Sequence, residues 1–120
     1  MLSTGIDIVE IPRFEKALSR WGERFLERVY TANELTICQG RVPELAARFA
    51  AKEAVMKALG TGMRGVGWRE IEVLRDPRGK PIVFLHGRAE VRAAFLSLSQ
   101  FAVSLSHSAT IAVASVVASA

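Results

Sequence analysis

Between Gly5 and Ile11 the chain reads Gly-Ile-Asp-Ile-Val-Glu-Ile, a run of branched apolar residues that predicts a buried strand. Pro12 opens a helical stretch to about Val29, where Phe14, Leu18, Trp21 and Phe25 recur at 4-3-4 spacing and mark a core face. Thr31-Ala32-Asn33-Glu34 is a capping box that starts a short helix ending near Gly40. A longer helix is predicted over Glu44–Leu59, with Pro43 in its first turn and Gly60 past its end. Leu45, Phe49, Val55, Met56 and Leu59 fall on one broad face of it, which is expected to be buried. Then the pattern changes. Ile71-Glu72-Val73 and Lys80–Leu85 flank Asp76-Pro77-Arg78-Gly79, a turn with Pro and Gly where a tight turn wants them, so a hairpin is expected. Ala89–Ser97 reads as a helix, and Phe101–Ser106 and Thr110–Val117 as two further strands. The length of 120 residues is that of one domain, spanning residues 1–120.

A few polar residues break this pattern. Asp7 lies inside an apolar strand, where a carboxylate must be paired, hydrogen-bonded or bound to a metal. A structural Asp bonded to a loop backbone satisfies the pattern as well as a metal ligand does. Glu53 and Lys57 are one helical turn apart, on a stripe shared with Ala46, Ala50 and Gly60. Such a pair is ordinarily a surface salt bridge, but here small neighbours would leave a ligand room. Lys52 falls in the middle of the Phe49/Met56/Leu59 face, where it either snorkels or reaches into a site. Gly60-Thr61-Gly62-Met63-Arg64-Gly65-Val66-Gly67 follows, a loop whose backbone can approach phosphates closely.

Half of the residues are hydrophobic and the mean hydropathy is +0.23, apolar for so small a chain, so a homo-oligomer is expected. The apolar residues form no run long enough to span a membrane, and the N-terminus lacks the basic and apolar regions of a signal peptide. Cys38 is the only cysteine, which fits a reducing cytoplasm. The formal charge of +4 favours acidic partners. Arg13, Arg20 and Arg24 line up on one face of the Pro12 helix, with Lys16 and Arg28 flanking. A mixed charged face is usually just solvated, yet arginine is the donor best suited to carboxylates and phosphates, so this face is a candidate dock. His107 sits at a strand end, where a histidine is more often structural than catalytic. No nucleophile elbow, zinc ligand set, Walker A loop or dinucleotide fingerprint is present.

Four segments, in this order, resemble the holo-acyl-carrier-protein synthases, the small type of 4′-phosphopantetheinyl transferase. They are Gly5–Ile11, Arg48–Ala54 continued by Lys57–Gly62, Gly79-Lys80-Pro81, and Ser104-Leu105-Ser106-His107. The resemblance implies an α+β fold with a small antiparallel sheet packed with helices, usually assembled as a trimer with active sites between subunits. It implies transfer of 4′-phosphopantetheine from coenzyme A to a serine of an apo acyl carrier protein, releasing adenosine 3′,5′-bisphosphate, in lipid and fatty-acid biosynthesis. By resemblance, Asp7 and Glu53 hold Mg²⁺, which keeps waters and is usually bound by one or two carboxylates plus substrate phosphates. Glu53, or a water it orients on the metal, is then the base for the serine, and Lys57 attends the departing phosphate. Arg48, Gly60, Gly62, Lys80, Pro81 and His107 are implied to contact coenzyme A. Arg13, Arg20, Arg24 and Arg28 are implied to meet the acidic helix of the carrier protein. Larger members of the superfamily carry a second strand carboxylate two residues after the first. Here that position is Val9, and Glu10 one place further should face away, so two protein ligands are expected.

Two other readings remain at this stage. One is a small basic module binding RNA or a nucleotide, although few aromatic residues accompany the basic ones as stacking platforms. The other is a Mg²⁺-dependent phosphohydrolase with water as the nucleophile at the same carboxylate pair.

Overall fold

Strand β1 (Leu2–Glu10) opens the computed structural model, which describes residues 1–120. Pro12 in the first turn ends it by starting α1 (Ile11–Val29), so Ile11 belongs to the helix and not to the strand. The short α2 (Ala32–Cys38) follows, with the capping box formed: Thr31 Oγ1 accepts from the Glu34 amide and Glu34 Oε1 accepts from the Thr31 amide. Then come α3 (Val42–Leu59), a 3₁₀ turn at Trp68–Glu70, the hairpin β2 (Ile71–Arg75) and β3 (Pro81–Leu85), α4 (Gly87–Phe95), β4 (Gln100–His107) and β5 (Ile111–Ser119). One antiparallel sheet has the order β1-β5-β4, and the β2–β3 hairpin forms the other. This is the expected α+β arrangement of antiparallel strands and helices. No helix is long and apolar enough to cross a membrane.

Helix α3 is the axis on which everything packs. The expected single buried face is corrected: Leu45, Val55, Met56 and Leu59 are buried and Phe49 only half-buried, while Ala46, Ala47, Ala50, Ala51, Ala54 and Ala58 around the helix are buried as well. The cause is layering on several sides, by the β1-β5-β4 sheet, by α1 and by β2. A helix buried on every side but the narrow stripe of Phe49, Glu53 and Lys57 has no broad amphipathic pattern to read. Alanine suits it because a small side chain lets the sheet come close. Gly5 carries this furthest, since a Cβ there would collide with the Ala54 carbonyl. Ser3 Oγ completes the contact by donating to the Ala58 carbonyl.

Lys52 neither snorkels nor reaches into an open site. It is fully buried and donates to Glu34 Oε1 at 2.7 Å, to the Trp68 carbonyl at 3.0 Å and to the Ile71 carbonyl. Glu34 Oε2 in turn accepts from the Val73 amide at 2.7 Å. Burial lowers the Lys52 pKa, and the charge and hydrogen bond of Glu34 oppose that fall. The pair ties α2, α3 and β2 into one unit.

Helix α1 is also corrected. Gly22 has φ 54° and ψ −132°, which breaks the helix there. The 4-3-4 spacing assumed an unbroken helix. Phe14 is buried, and Phe25 packs against it edge-on at 5.5 Å, but Trp21 at the break turns outward and is 52% exposed. The alignment of Arg13 and Arg20 with Arg24 is interrupted at the same point.

Candidate active site

Successive strand residues face opposite sides of a sheet. Gly5, Asp7 and Val9 therefore share the face of β1 that packs on α3, with Asp7 opposite Ala114 of β5. Close approach at Gly5 brings Asp7 to the one stripe of α3 that reaches the surface, that of Glu53 and Lys57. Lys57 Nζ donates to Asp7 Oδ1 at 3.0 Å and to the Ile6 carbonyl at 2.8 Å. Glu53, one turn before Lys57 on the same stripe, has Asp7 as a neighbour too. Burial, then the neighbouring Asp7, push the Glu53 pKa up to about 7, while Lys57 pulls against the shift. Two neighbouring carboxyl groups favour a proton or a cation beside them.

Glu53 opens onto a hollow lined by Ile8, Val9, Arg13, Phe14 and Phe49. A groove continues from it past Ala17, Phe25 and Phe49 to Trp68 and Met63, with Arg24 and Arg28 in its walls. Arg20 instead stacks its guanidinium 5.0 Å from the Trp21 ring centre. All four arginines are exposed, and Arg13 also lies 3.9 Å from Glu10.

Gly60 caps α3 in the left-handed conformation at φ 71°, one turn beyond Lys57, and Gly62 lies in the same region at φ 56°. His107 ends β4 opposite Ala112, which is itself opposite Val9, so it shares the sheet face of Asp7. Lys80 is exposed at the hairpin turn, its amide held by Asp76 Oδ1 at 2.9 Å, and Pro81 begins β3. Arg48 is buried, donating to the Val73 carbonyl at 3.0 Å and to Glu44 Oε2 at 2.9 Å. Neither Arg48 nor Lys80 hydrogen bonds to Asp7, Glu53 or Lys57 within this chain. Sequence reasoning missed Gly5 as the residue that admits Asp7 to the site. Its only sequence signal is a glycine two places before an acid in an otherwise branched strand.

Residues 3–114 match the family model of the 4′-phosphopantetheinyl transferase superfamily, and the chain belongs to that superfamily. It is 51% identical to the holo-acyl-carrier-protein synthase of Herpetosiphon aurantiacus, over 98% of each chain. It is 52% identical to that of Dehalococcoides mccartyi, again over 98% of each. Among solved structures, the synthase of Neisseria meningitidis superposes with a TM-score of 0.90 at 36% identity, covering 98% of each chain. The Helicobacter pylori synthase, solved in complex with coenzyme A, gives 0.88 at 33% identity, covering 97% of this chain and 99% of that one. Within the superfamily the chain is thus an enzyme of the holo-acyl-carrier-protein synthase type.

Proposed function

We propose that the enzyme transfers 4′-phosphopantetheine from coenzyme A to a serine hydroxyl of an apo acyl carrier protein and releases adenosine 3′,5′-bisphosphate. The observation that carries the reading is that Lys57 bonds to Asp7 beside Glu53, and that Glu53 lines an open hollow. A phosphoryl centre needs a base on one side and a cation on the other. Glu53 is suited to the first role by its place, since its carboxylate lines the open hollow and can take the serine proton directly or through a water it orients. Lys57 is suited to the second, with an exposed ammonium that can meet the phosphate of the leaving group.

The carboxylate pair fits Mg²⁺. Two neighbouring acids with a single lysine beside them are short of positive charge, and Mg²⁺ is usually held by one or two carboxylates plus substrate phosphates. Asp7 and Glu53 would hold it. When bound, the ion would neutralise the negative charge that develops on the diphosphate.

Gly60 and Gly62 offer backbone close to Lys57 for the diphosphate, and His107, Lys80 and Pro81 are further contacts for coenzyme A, whereas Arg48, buried and bonded to Val73 and Glu44, supports the fold beneath the site. The apolar groove walled by Arg24 and Arg28, with Arg13 at its hollow end, suits an acidic helix with apolar anchors, the carrier protein. Leu2, Ile6, Ile8, Ile111 and Val117 are exposed on the sheet face away from α3, which supports assembly through that face, as a trimer. The lone thiol of Cys38 supports the cytoplasm as the compartment.

Incubation with coenzyme A, Mg²⁺ and an apo carrier protein tests the reading. The carrier gains the mass of phosphopantetheine and adenosine 3′,5′-bisphosphate appears. Cleavage of coenzyme A without the carrier would mean a hydrolase, and no turnover of either would mean a binding module.

A further inference from the structure

The glycine loop from Gly60 to Gly67 is tied at both ends to α4. At its entry, Arg92 Nε donates to the Leu59 carbonyl at 3.0 Å, the last residue of α3. A terminal nitrogen of the same guanidinium lies 3.6 Å from where a Cβ of Gly60 would stand. The group is backed by the Phe95 ring, 5.6 Å from its centre. A cation at a helix C-terminus meets carbonyls that no amide within the helix satisfies, and it complements the helix dipole. The turn so held is the one that carries Lys57, whose own carbonyl accepts from the Gly60 amide.

At the loop exit, Glu70 performs the matching task. Its Oε1 accepts from the Gly67 amide and from Arg88 Nε at 3.1 Å, and its Oε2 accepts from the Arg88 amide. The carboxyl lies so close to Gly87 that a Cβ there would collide with it. The Glu70 carbonyl also accepts from the His86 amide at 2.8 Å. Between the two ties, the one backbone hydrogen bond within the loop is from the Arg64 amide to the Thr61 carbonyl. The loop therefore has little internal structure, and its course is set by what holds its ends.

We propose that α4 acts as a strap over this loop, and that Arg92 and Glu70 are positioning residues for transfer. Neither touches the reacting atoms. Arg92 holds the last turn of α3, and so sets Lys57 and the Gly60–Gly62 backbone relative to Asp7. Glu70 fixes where the loop returns to the second sheet. The inference rests on the reading that this loop receives the diphosphate of coenzyme A, and misplacement there raises the coenzyme A KM without touching the carrier groove.

Two measurements on Arg92→Met and Arg92→Lys decide it. The first is amide hydrogen exchange across residues 60–67, which requires no activity. The second is steady-state transfer with coenzyme A and carrier protein varied in turn. Arg92→Met is expected to speed exchange across the loop, and to raise the coenzyme A KM roughly fivefold with the carrier KM unchanged. Arg92→Lys, which keeps one donor for the Leu59 carbonyl, is expected to restore most of both. Glu70→Gln, at the other tie, is expected to move the same two readouts and spare the carrier KM. Unchanged loop exchange in Arg92→Met overturns the strap. Faster exchange with an unchanged coenzyme A KM, or equal rises in both KM values, overturns the positioning role. If the unaltered enzyme transfers nothing, the proposed function fails and the positioning role with it, while the exchange data still decide whether α4 holds the loop.

Discussion

Lys57 Nζ lies 3.0 Å from Asp7 Oδ1, although fifty residues separate the two in the chain. The contact joins the end of α3 to the middle of β1 and leaves Glu53, one turn back on the helix, beside the same aspartate. Three ionisable groups from two elements thus meet with one net negative charge if both acids are ionised. Burial first, and the neighbouring Asp7 second, raise the Glu53 pKa, and the excess of acid makes the cluster receptive to a cation.

Glu53→Gln and Asp7→Asn each keep the shape of the side chain and remove the charge. Both are expected to lower kcat by about 100-fold or more while leaving the fold intact, since base and cation-holding roles each carry effects of that order. Carrier mass gain reads the rate and circular dichroism reads the fold. Near-normal turnover in either variant would refute the assignment of the pair.

Gly5→Ala tests the packing that delivers Asp7. The added methyl meets the Ala54 carbonyl, which is backbone and cannot rotate away. Strand and helix must move apart, at a cost of about 1–3 kcal/mol, the usual range for overpacking. A lower melting temperature together with lost transfer is expected. A variant as stable and active as the parent would mean that Asp7 does not depend on this contact.

How much of this was readable in advance varies with how local the signal is. The capping box at Thr31 and the Asp76–Gly79 turn are local chemistry, and both formed as their residues imply. That Glu53 and Lys57 share a stripe follows from helical spacing, although Lys57 pairs with Asp7 and not with Glu53; Asp7 joined them through the family resemblance, because spacing carries no information across fifty residues. The break at Gly22 was hidden because a single glycine inside a helical pattern is usually tolerated. Alanine misled the reading of α3, since six buried alanines add little apolar weight to any face. Glu34 was hidden by its own explanation: as the third residue of a capping box it needed no second role, yet it also neutralises Lys52. Arg92 and Glu70 bond to backbone far away in the chain, and nothing in their neighbours marks that.

The Glu34–Lys52 pair is fully buried on both sides, so removing one member strands the other. Lys52→Met and Glu34→Gln are each expected to cost ~3–5 kcal/mol. The double variant is expected to lose less than the sum, because a Met and a neutral Gln leave no unpaired charge. Chemical denaturation of all four proteins measures the cycle. Strict additivity would show that the two groups act independently.

Glu72 gives the fold an acid limit. Burial opposes its ionisation, but hydrogen bonds from Thr31, His86 and Asn33, with the His86 charge, outweigh that and hold its pKa below the ordinary 4.5. The unfolded chain therefore takes up the proton first as pH falls. The stabilisation is present above about pH 4.5 and is lost as pH drops through the lower folded value. Glu72→Gln is expected to be less stable at neutral pH and to flatten this acid slope, read from denaturation midpoints between neutral and acid pH. An unchanged slope would assign the acid limit to another carboxylate.

Charge reversal on the two parts of α1 tests the docking groove. Arg13 borders the hollow below Glu53, and Arg24 lies in the groove wall beyond the break at Gly22. Both are exposed, so their replacement leaves the core alone. Exposed charges at an interface steer and orient a partner more than they hold it, and their effect is screened by salt. Arg13→Glu and Arg24→Glu are each expected to raise the carrier KM roughly tenfold at low salt, with the coenzyme A KM unchanged. The difference from the parent should shrink as ionic strength rises. Because Gly22 rotates the two halves of α1 apart, the two sites would meet separate acidic groups, and the double reversal should combine the two effects additively in free energy. An unchanged carrier KM in both variants would move the docking surface off this helix.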